Sequence, residues 1–151
     1  MKTVIVTAPL GCLRDFAVRD RRLEAITIEN ADLARRMWRA PASFGEIAVR
    51  LVQGVELHDE DVLFAADDVV VYVRVAAEDV LVALPRTLEE ASRLGHLLGN
   101  RHLPAHFGEK EIIVRYDPLV EEALNAQGVP FVREARVFDE PFRHAHAPHA
   151  H

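Results

Sequence analysis

The chain has almost no cysteine: its 151 residues contain one, Cys12. A single thiol excludes an internal disulfide, a CxxC redox pair and a cysteine-built zinc cage within one chain. Any metal chemistry therefore falls to histidine, with carboxylates in support. That ligand set suits nickel, zinc or copper(II) better than copper(I). Long apolar runs are also missing. No stretch approaches the roughly 18 residues of a membrane span. The short apolar start, Met1 to Leu10, lacks the longer core and small-residue cleavage site of a signal peptide. These absences predict a soluble cytoplasmic protein with no membrane partner. Positive charge is scarce as well. The net charge of −6 argues against a general nucleic-acid binder. Arg19, Arg21 and Arg22, and Arg35, Arg36 and Arg39, have acidic neighbours and read as solvated surface. Finally, there is no HExxH or comparable ordered ligand cluster. A metal-dependent hydrolase would need three ordered ligands and a general base, so the chain is not expected to be an enzyme.

What is present begins with hydrophobic residues, 50% of the chain, enough for a core. The length suits one ordinary domain or two very small ones. Short β patterns fill the first half: Thr3 to Thr7, Leu23 to Glu29, Glu46 to Val52 and Val69 to Val75. Ile47, Val49 and Leu51 alternate onto one face. Gly45, Gly54 and the acidic stretch Asp59-Glu60-Asp61 supply turns. Residues 1–76 are expected to form a small all-β domain.

The second half changes character. Asp79 to Leu84 predicts a strand that stops at Pro85. Thr87 and Glu90 are spaced as a capping box, in which each side chain satisfies the other's free backbone N–H. Leu88, Ala91, Leu94, Gly95 and Leu98 recur at helical spacing and predict one buried face. Glu89 and Arg93 form an i,i+4 ion pair on the wet side. Gly99 and Asn100 are the residues best suited to the left-handed conformation that ends a helix. Strands are expected next at Leu103 to Phe107 and Glu111 to Val114, joined by Gly108-Glu109-Lys110. Asp117 as N-cap with Pro118 behind it starts a second helix, whose face is traced by Leu119, Val120, Ala123, Leu124 and Gln127. Gly128 stops it, and Val129 to Phe138 supplies a last strand. The order β-α-β-β-α-β is that of ferredoxin-like domains, assigned here to residues 77–141. The fold class is thus α+β: a small all-β domain, then a ferredoxin-like domain, then a His-rich tail over 142–151. With little to bury, that tail is expected to be disordered without metal.

Eight histidines are unevenly placed. His102 ends the run Gly99-Asn100-Arg101-His102, and His144, His146, His149 and His151 crowd the C-terminus. Neutral imidazole is the commonest transition-metal ligand near neutral pH, and short His-rich tracts read as metal binding. His102 lies beside a helix C-terminus, which favours a cation. It is either a metal ligand or an imidazolium capping the free carbonyls there. His106 would share a strand face with His102, as a second ligand or a plain surface residue. His96 falls opposite the apolar helix face and reads as solvated, with ligation the less favoured alternative. His58, in an acidic loop, reads as a solvated turn. The tail is a ligand arm, a non-specific metal sponge or a purification tag. One ordered histidine cannot complete a coordination shell. In a two-fold dimer a single interface histidine becomes two ligands, and tail histidines add more.

These residues resemble a known family. Leu97-Leu98-Gly99-Asn100-Arg101-His102 at the end of an amphipathic helix resembles the helix-end motif of the UreE family of urease accessory proteins. Glu111 to Asp117 is similar to that family's strand into its second helix. Phe138-Asp139-Glu140-Pro141-Phe142 followed by histidines is similar to its exit into a metal-binding tail. In the first half, Leu57 to Leu63 and Val71 to Val82 resemble its β domain. The resemblance runs from about Leu23 to His151, and Met1 to Arg22 match no part of the pattern. It implies a homodimeric nickel metallochaperone that delivers Ni2+ for assembly of the urease active site. It implies partners in the accessory GTPase UreG and in apo-urease with its other accessory proteins. The family's central nickel ligand falls on His102, paired across the dimer, and its tail ligands fall near His144 and His146. His149, His151, His106 and His96 are secondary candidates. Zn2+ or Cu2+ would compete for the same site. Some members carry a histidine where Leu97 stands here, and some have longer, denser tails. The alternative function is a metal-buffering or sensing protein, for Ni, Zn or Cu, without a delivery role.

Overall fold

A computed structural model of the chain describes residues 1–142. They divide into two compact units, the first containing Met1–Ala76 with Val137–Pro141 and the second Ala77–Arg136. In the first unit β1 (Lys2–Val6), β5 (Gly45–Arg50) and β4 (Met37–Ala42) form one sheet in the order β1-β5-β4. The strands β2 (Gly11–Cys12), β6 (Asp61–Ala65), β7 (Val69–Val75) and β3 (Arg22–Ile28) form a second, in the order β2-β6-β7-β3. The pairs β1/β5 and β3/β7 are parallel. Alternation along the strands sorts the side chains. Val71, Val73 and Val75 join Ile47, Val49 and Leu51 in one core, whereas Val70 and Tyr72 turn to the opposite face and pack with Val62, Leu13 and Phe16. Gly45 (φ +143°) is dictated by the β1/β5 contact, since a Cβ there would lie 2.2 Å from the Lys2 carbonyl oxygen.

Three strands of this unit are not expected from the sequence: β4, β6 and the two-residue β2. Strand β4 carries Pro41, which hides it from a propensity argument but suits an edge strand. Strand β6 starts at Asp61, inside the stretch expected to be a turn. The turn ends at Glu60 (φ +66°), and Asp61 is 9% exposed. Its Oδ2 accepts the His58 backbone N–H at 2.7 Å. Burial pushes the Asp61 carboxyl above its ordinary range, against the lowering effect of that bond.

The second unit contains β8 (Glu78–Ala83), α1 (Leu88–Asn100), β9 (Ala105–Phe107), β10 (Ile112–Arg115), α2 (Pro118–Gln127) and β11 (Phe131–Arg136). Its sheet runs β11-β8-β10-β9 with every neighbour antiparallel, the ferredoxin-like order 4-1-3-2. Leu94 and Leu98 of α1 and Val120 and Leu124 of α2 pack with Leu81, Ala83, Ile112 and Val114 of the sheet. The expected helix faces are only partly buried. Leu88, in a first turn that precedes the buried stretch, is 85% exposed; Leu119 is 52% exposed beside the fully buried Val120, off the face that Val120 and Leu124 share; and Gln127 is exposed in the last turn of α2.

The caps are largely as expected. Thr87 Oγ1 accepts the Glu90 N–H at 3.1 Å. The return arm of the box differs: the Glu90 carboxylate takes the Arg86 N–H at 2.7 Å and pairs with the Arg86 guanidinium at 2.7 Å. Arg86 holds the Glu90 carboxyl below its ordinary range. Asp117 Oδ1 accepts the N–H groups of Leu119 and Val120 at 2.8 and 3.2 Å. Arg93 pairs with Glu89 at 2.7 Å. Among the described residues no helix is long and apolar enough to cross a membrane.

Residues 137–141, grouped by sequence with the ferredoxin-like half, belong to the first unit. The last strand ends at Arg136 rather than Phe138, because Phe138 is buried (8% exposed) and the Asn30 side chain takes its carbonyl.

The packing separates two leucines of α2. Leu124→Ala is expected to lower stability by about 2–4 kcal/mol, and Leu119→Ala by less than about 0.5 kcal/mol. Urea denaturation of the full chain checks both.

Candidate metal centre

His102 stands where α1 gives way to β9, and the backbone there is held from both sides. Leu94 and Leu98 anchor the helix in the core, and Ala105 anchors the start of β9. Between them the chain makes a Schellman turn: the His102 N–H bonds the Gly99 carbonyl at 3.2 Å, and the Leu103 N–H bonds the Leu98 carbonyl at 3.0 Å. Leu103 packs against the same core as Leu98, the apolar contact that accompanies such turns.

The residue that goes left-handed is His102 itself (φ +53°). Gly99 and Asn100, expected to take that role, remain in the helix, and Arg101 (φ −91°, ψ 0°) comes after them. The end of α2 makes the comparison direct. There Gly128 (φ +67°) donates to the Asn125 carbonyl at 3.2 Å, and Val129 to the Leu124 carbonyl at 3.0 Å. The same pair of bonds closes both helices, with glycine at the left-handed position of one and histidine at that of the other. A side chain in that conformation costs on the order of 1–2 kcal/mol. Backbone strain of this kind concentrates at functional sites. His102 is exposed, at the negative end of a helix that carries no basic residue in its last turn.

The other candidates are placed differently. His96 is exposed on α1, and its Nε2 lies 3.0 Å from the Asn100 side-chain amide nitrogen, one turn on. An amide N–H donated to Nε2 puts the ring proton on Nδ1 and occupies the ring lone pair. His106 is exposed in the edge strand β9, opposite Ile113 of β10. The strand starts only at Ala105, so the shared strand face expected for positions 102, 104 and 106 does not exist. His58 is exposed, with Nδ1 3.7 Å from Asp61 Oδ2. His144, His146, His149 and His151 lie outside the described residues. Among the described residues no three histidine, cysteine or acidic side chains converge as a metal-holding group. Of the four described histidines, His102 is the one whose backbone is left-handed.

Comparison with known proteins bears on both units. Residues 6–76 match the N-terminal domain of the UreE urease accessory protein, and residues 78–151 match its C-terminal domain. The first match extends the family pattern to residue 6, well before Leu23, where the resemblance seen in the sequence begins. Proteins named urease accessory protein UreE from Staphylococcus aureus strains Newman, JH1 and USA300 are each 45% identical to this chain over 127 residues. Each alignment covers 83% of this chain and 85% of the relative.

The left-handed histidine has a measurable consequence. His102→Gly is expected to raise stability by about 0.5–1 kcal/mol, because glycine adopts this conformation without a Cβ clash. Gly128→Ala is expected to lower it by a similar amount. Thermal unfolding of the metal-free proteins at pH 8 checks the opposite signs.

Proposed function

The chain belongs to the UreE family of urease accessory proteins, which serve urease maturation and are not enzymes, and on that premise we propose that it is a cytoplasmic nickel metallochaperone. In this reading its cargo is Ni2+, and His102 is the ordered ligand. What carries the reading is a single exposed imidazole held in a strained turn at a helix C-terminus. One such donor leaves most of a metal's coordination positions to be filled from elsewhere. A two-fold dimer supplies the second His102. His144 and His146 supply further ligands, with His149 and His151 as reserves. A site completed by tail ligands loads readily and unloads readily, as delivery requires. UreG and apo-urease with its other accessory proteins are the receiving partners. Zn2+ and Cu2+ bind the same donors, and copper(II) binds them more tightly. Nickel is then favoured in the cell by availability and by partner.

Metal and protons compete for the same nitrogens. Imidazole in water titrates near ~6.5, and its protonated form cannot ligate, so nickel affinity is expected to fall steeply below about pH 6.

Calorimetry with Ni2+ on the full chain, on His102→Ala and on a chain ending at Phe142 separates the roles. His102→Ala is expected to lose the tightest site and keep the fold. The shortened chain is expected to keep its dimer, seen by sedimentation, with weaker binding and fewer ions. Unchanged tight binding in His102→Ala would place the site elsewhere. Delivery is checked by complementation: cells lacking this protein should recover urease activity with the native gene and not with His102→Ala. Full nickel binding without urease activation or UreG capture would leave a buffering role instead.

A further inference from the structure

Helix α1 carries a second exposed imidazole close to His102, and one residue is placed to hold it back. His96 stands one turn before the end of the helix. Its neighbours on the helix surface are the residues three and four away: Ser92, Arg93, Gly99 and Asn100. Two of these are engaged elsewhere and one is bare. The Ser92 hydroxyl donates to the Leu88 carbonyl at 2.7 Å, Arg93 pairs with Glu89 at 2.7 Å, and Gly99 has no side chain. The fourth reaches the ring: the Asn100 side-chain amide nitrogen lies 3.0 Å from His96 Nε2.

Nothing in the backbone calls for asparagine there. The left-handed position that closes α1 belongs to His102, and inside a helix asparagine is a poorer choice than alanine. What the Asn100 side chain does is donate. An amide N–H has no lone pair, so beside a ring nitrogen it acts on the lone pair of the ring. A neutral imidazole has one such lone pair, and a metal ion needs it. With Nε2 engaged, the ring proton stands on Nδ1, and neither nitrogen is open to an incoming cation.

The negative end of α1 attracts a cation, and His96 lies at the border of the last turn, six residues before His102. The field alone therefore leaves His96 as a competing donor. We propose that Asn100 is a specificity-determining residue for the metal: its amide occupies the His96 lone pair, keeps that imidazole out of the competition and leaves His102 as the donor on which Ni2+ lands. This rests on the proposed role of His102 as the ordered Ni2+ ligand.

Histidine-ring NMR at pH 8 tests it on the full chain, on Asn100→Ala and on Asn100→Leu, the last keeping the bulk of asparagine without its donor. Without metal, the His96 ring of the unaltered chain is expected to carry its proton on Nδ1, and both variants are expected to lose that preference. Each protein is then titrated with Ni2+ alone. A single exposed hydrogen bond shifts an equilibrium by a few-fold, so in both variants the His96 signal is expected to broaden at a Ni2+ ratio about threefold lower than in the unaltered chain. The His102 signal is expected to respond alike in all three. His96 broadening at the same ratio in every protein would overturn the proposal. So would a ring proton on Nε2 in the unaltered chain, since Asn100 would then be accepting from the ring rather than donating to it. Earlier broadening in Asn100→Ala but not in Asn100→Leu would overturn it as well, by assigning the effect to access rather than to the lone pair. A His102 signal that stays sharp throughout would remove the premise instead, and that failure is read from a different signal.

Discussion

The turn at the end of α1 is the constraint on which the proposed metal site depends. Two backbone hydrogen bonds, from His102 to Gly99 and from Leu103 to Leu98, close the helix and require one residue at positive φ. Leu98 on one side and Ala105 on the other are fixed by the core of the ferredoxin-like unit. The turn therefore cannot relax without disturbing the packing. At α2 the same turn is made by Gly128, the residue that adopts it most easily. At α1 the position holds histidine, whose side chain makes this backbone conformation more costly than glycine would. In the proposed reading, that loss of stability is exchanged for a donor atom at a defined place.

The proposed delivery role starts from one exposed donor, His102, at a helix C-terminus. A stable resident metal centre needs a closed shell of three or four protein ligands. No such group forms among the described residues. An exposed single donor at a helix C-terminus favours a cation by its dipole but cannot enclose it. In the proposed reading, the remaining ligands come from a symmetry mate and from the tail histidines.

Much of the architecture was legible in the sequence because the strongest signals are local. Asp117-Pro118 and Thr87 start the helices where expected, and the β-α-β-β-α-β order is present. Gly128 closes α2 as glycine commonly does. What escaped the sequence depends on tertiary context. Strand β4 carries a proline and is tolerated only because it lies at a sheet edge. Leu88 lies beyond the reach of the core, and Leu119 is turned off the face that Val120 and Leu124 bury. The left-handed position passed over Gly99 and Asn100 for His102, because the burial of Leu98 and Leu103 sets the phase of the turn, and propensity does not. The Asn30 anchor had no local signal at all, since its partners are more than a hundred residues away. The histidines were visible as ligand candidates, but sequence spacing could not tell which of them the fold holds in place.

His102, as the ordered donor, should meet the metal first. Side-chain NMR of the histidine rings during addition of substoichiometric Ni2+ tests this most directly, because the paramagnetic ion broadens the nearest signals selectively. The His102 ring is predicted to broaden at the lowest metal ratio, with His96, His106 and His58 unaffected at that point. Early broadening of His96 or His106 with a sharp His102 signal would contradict it.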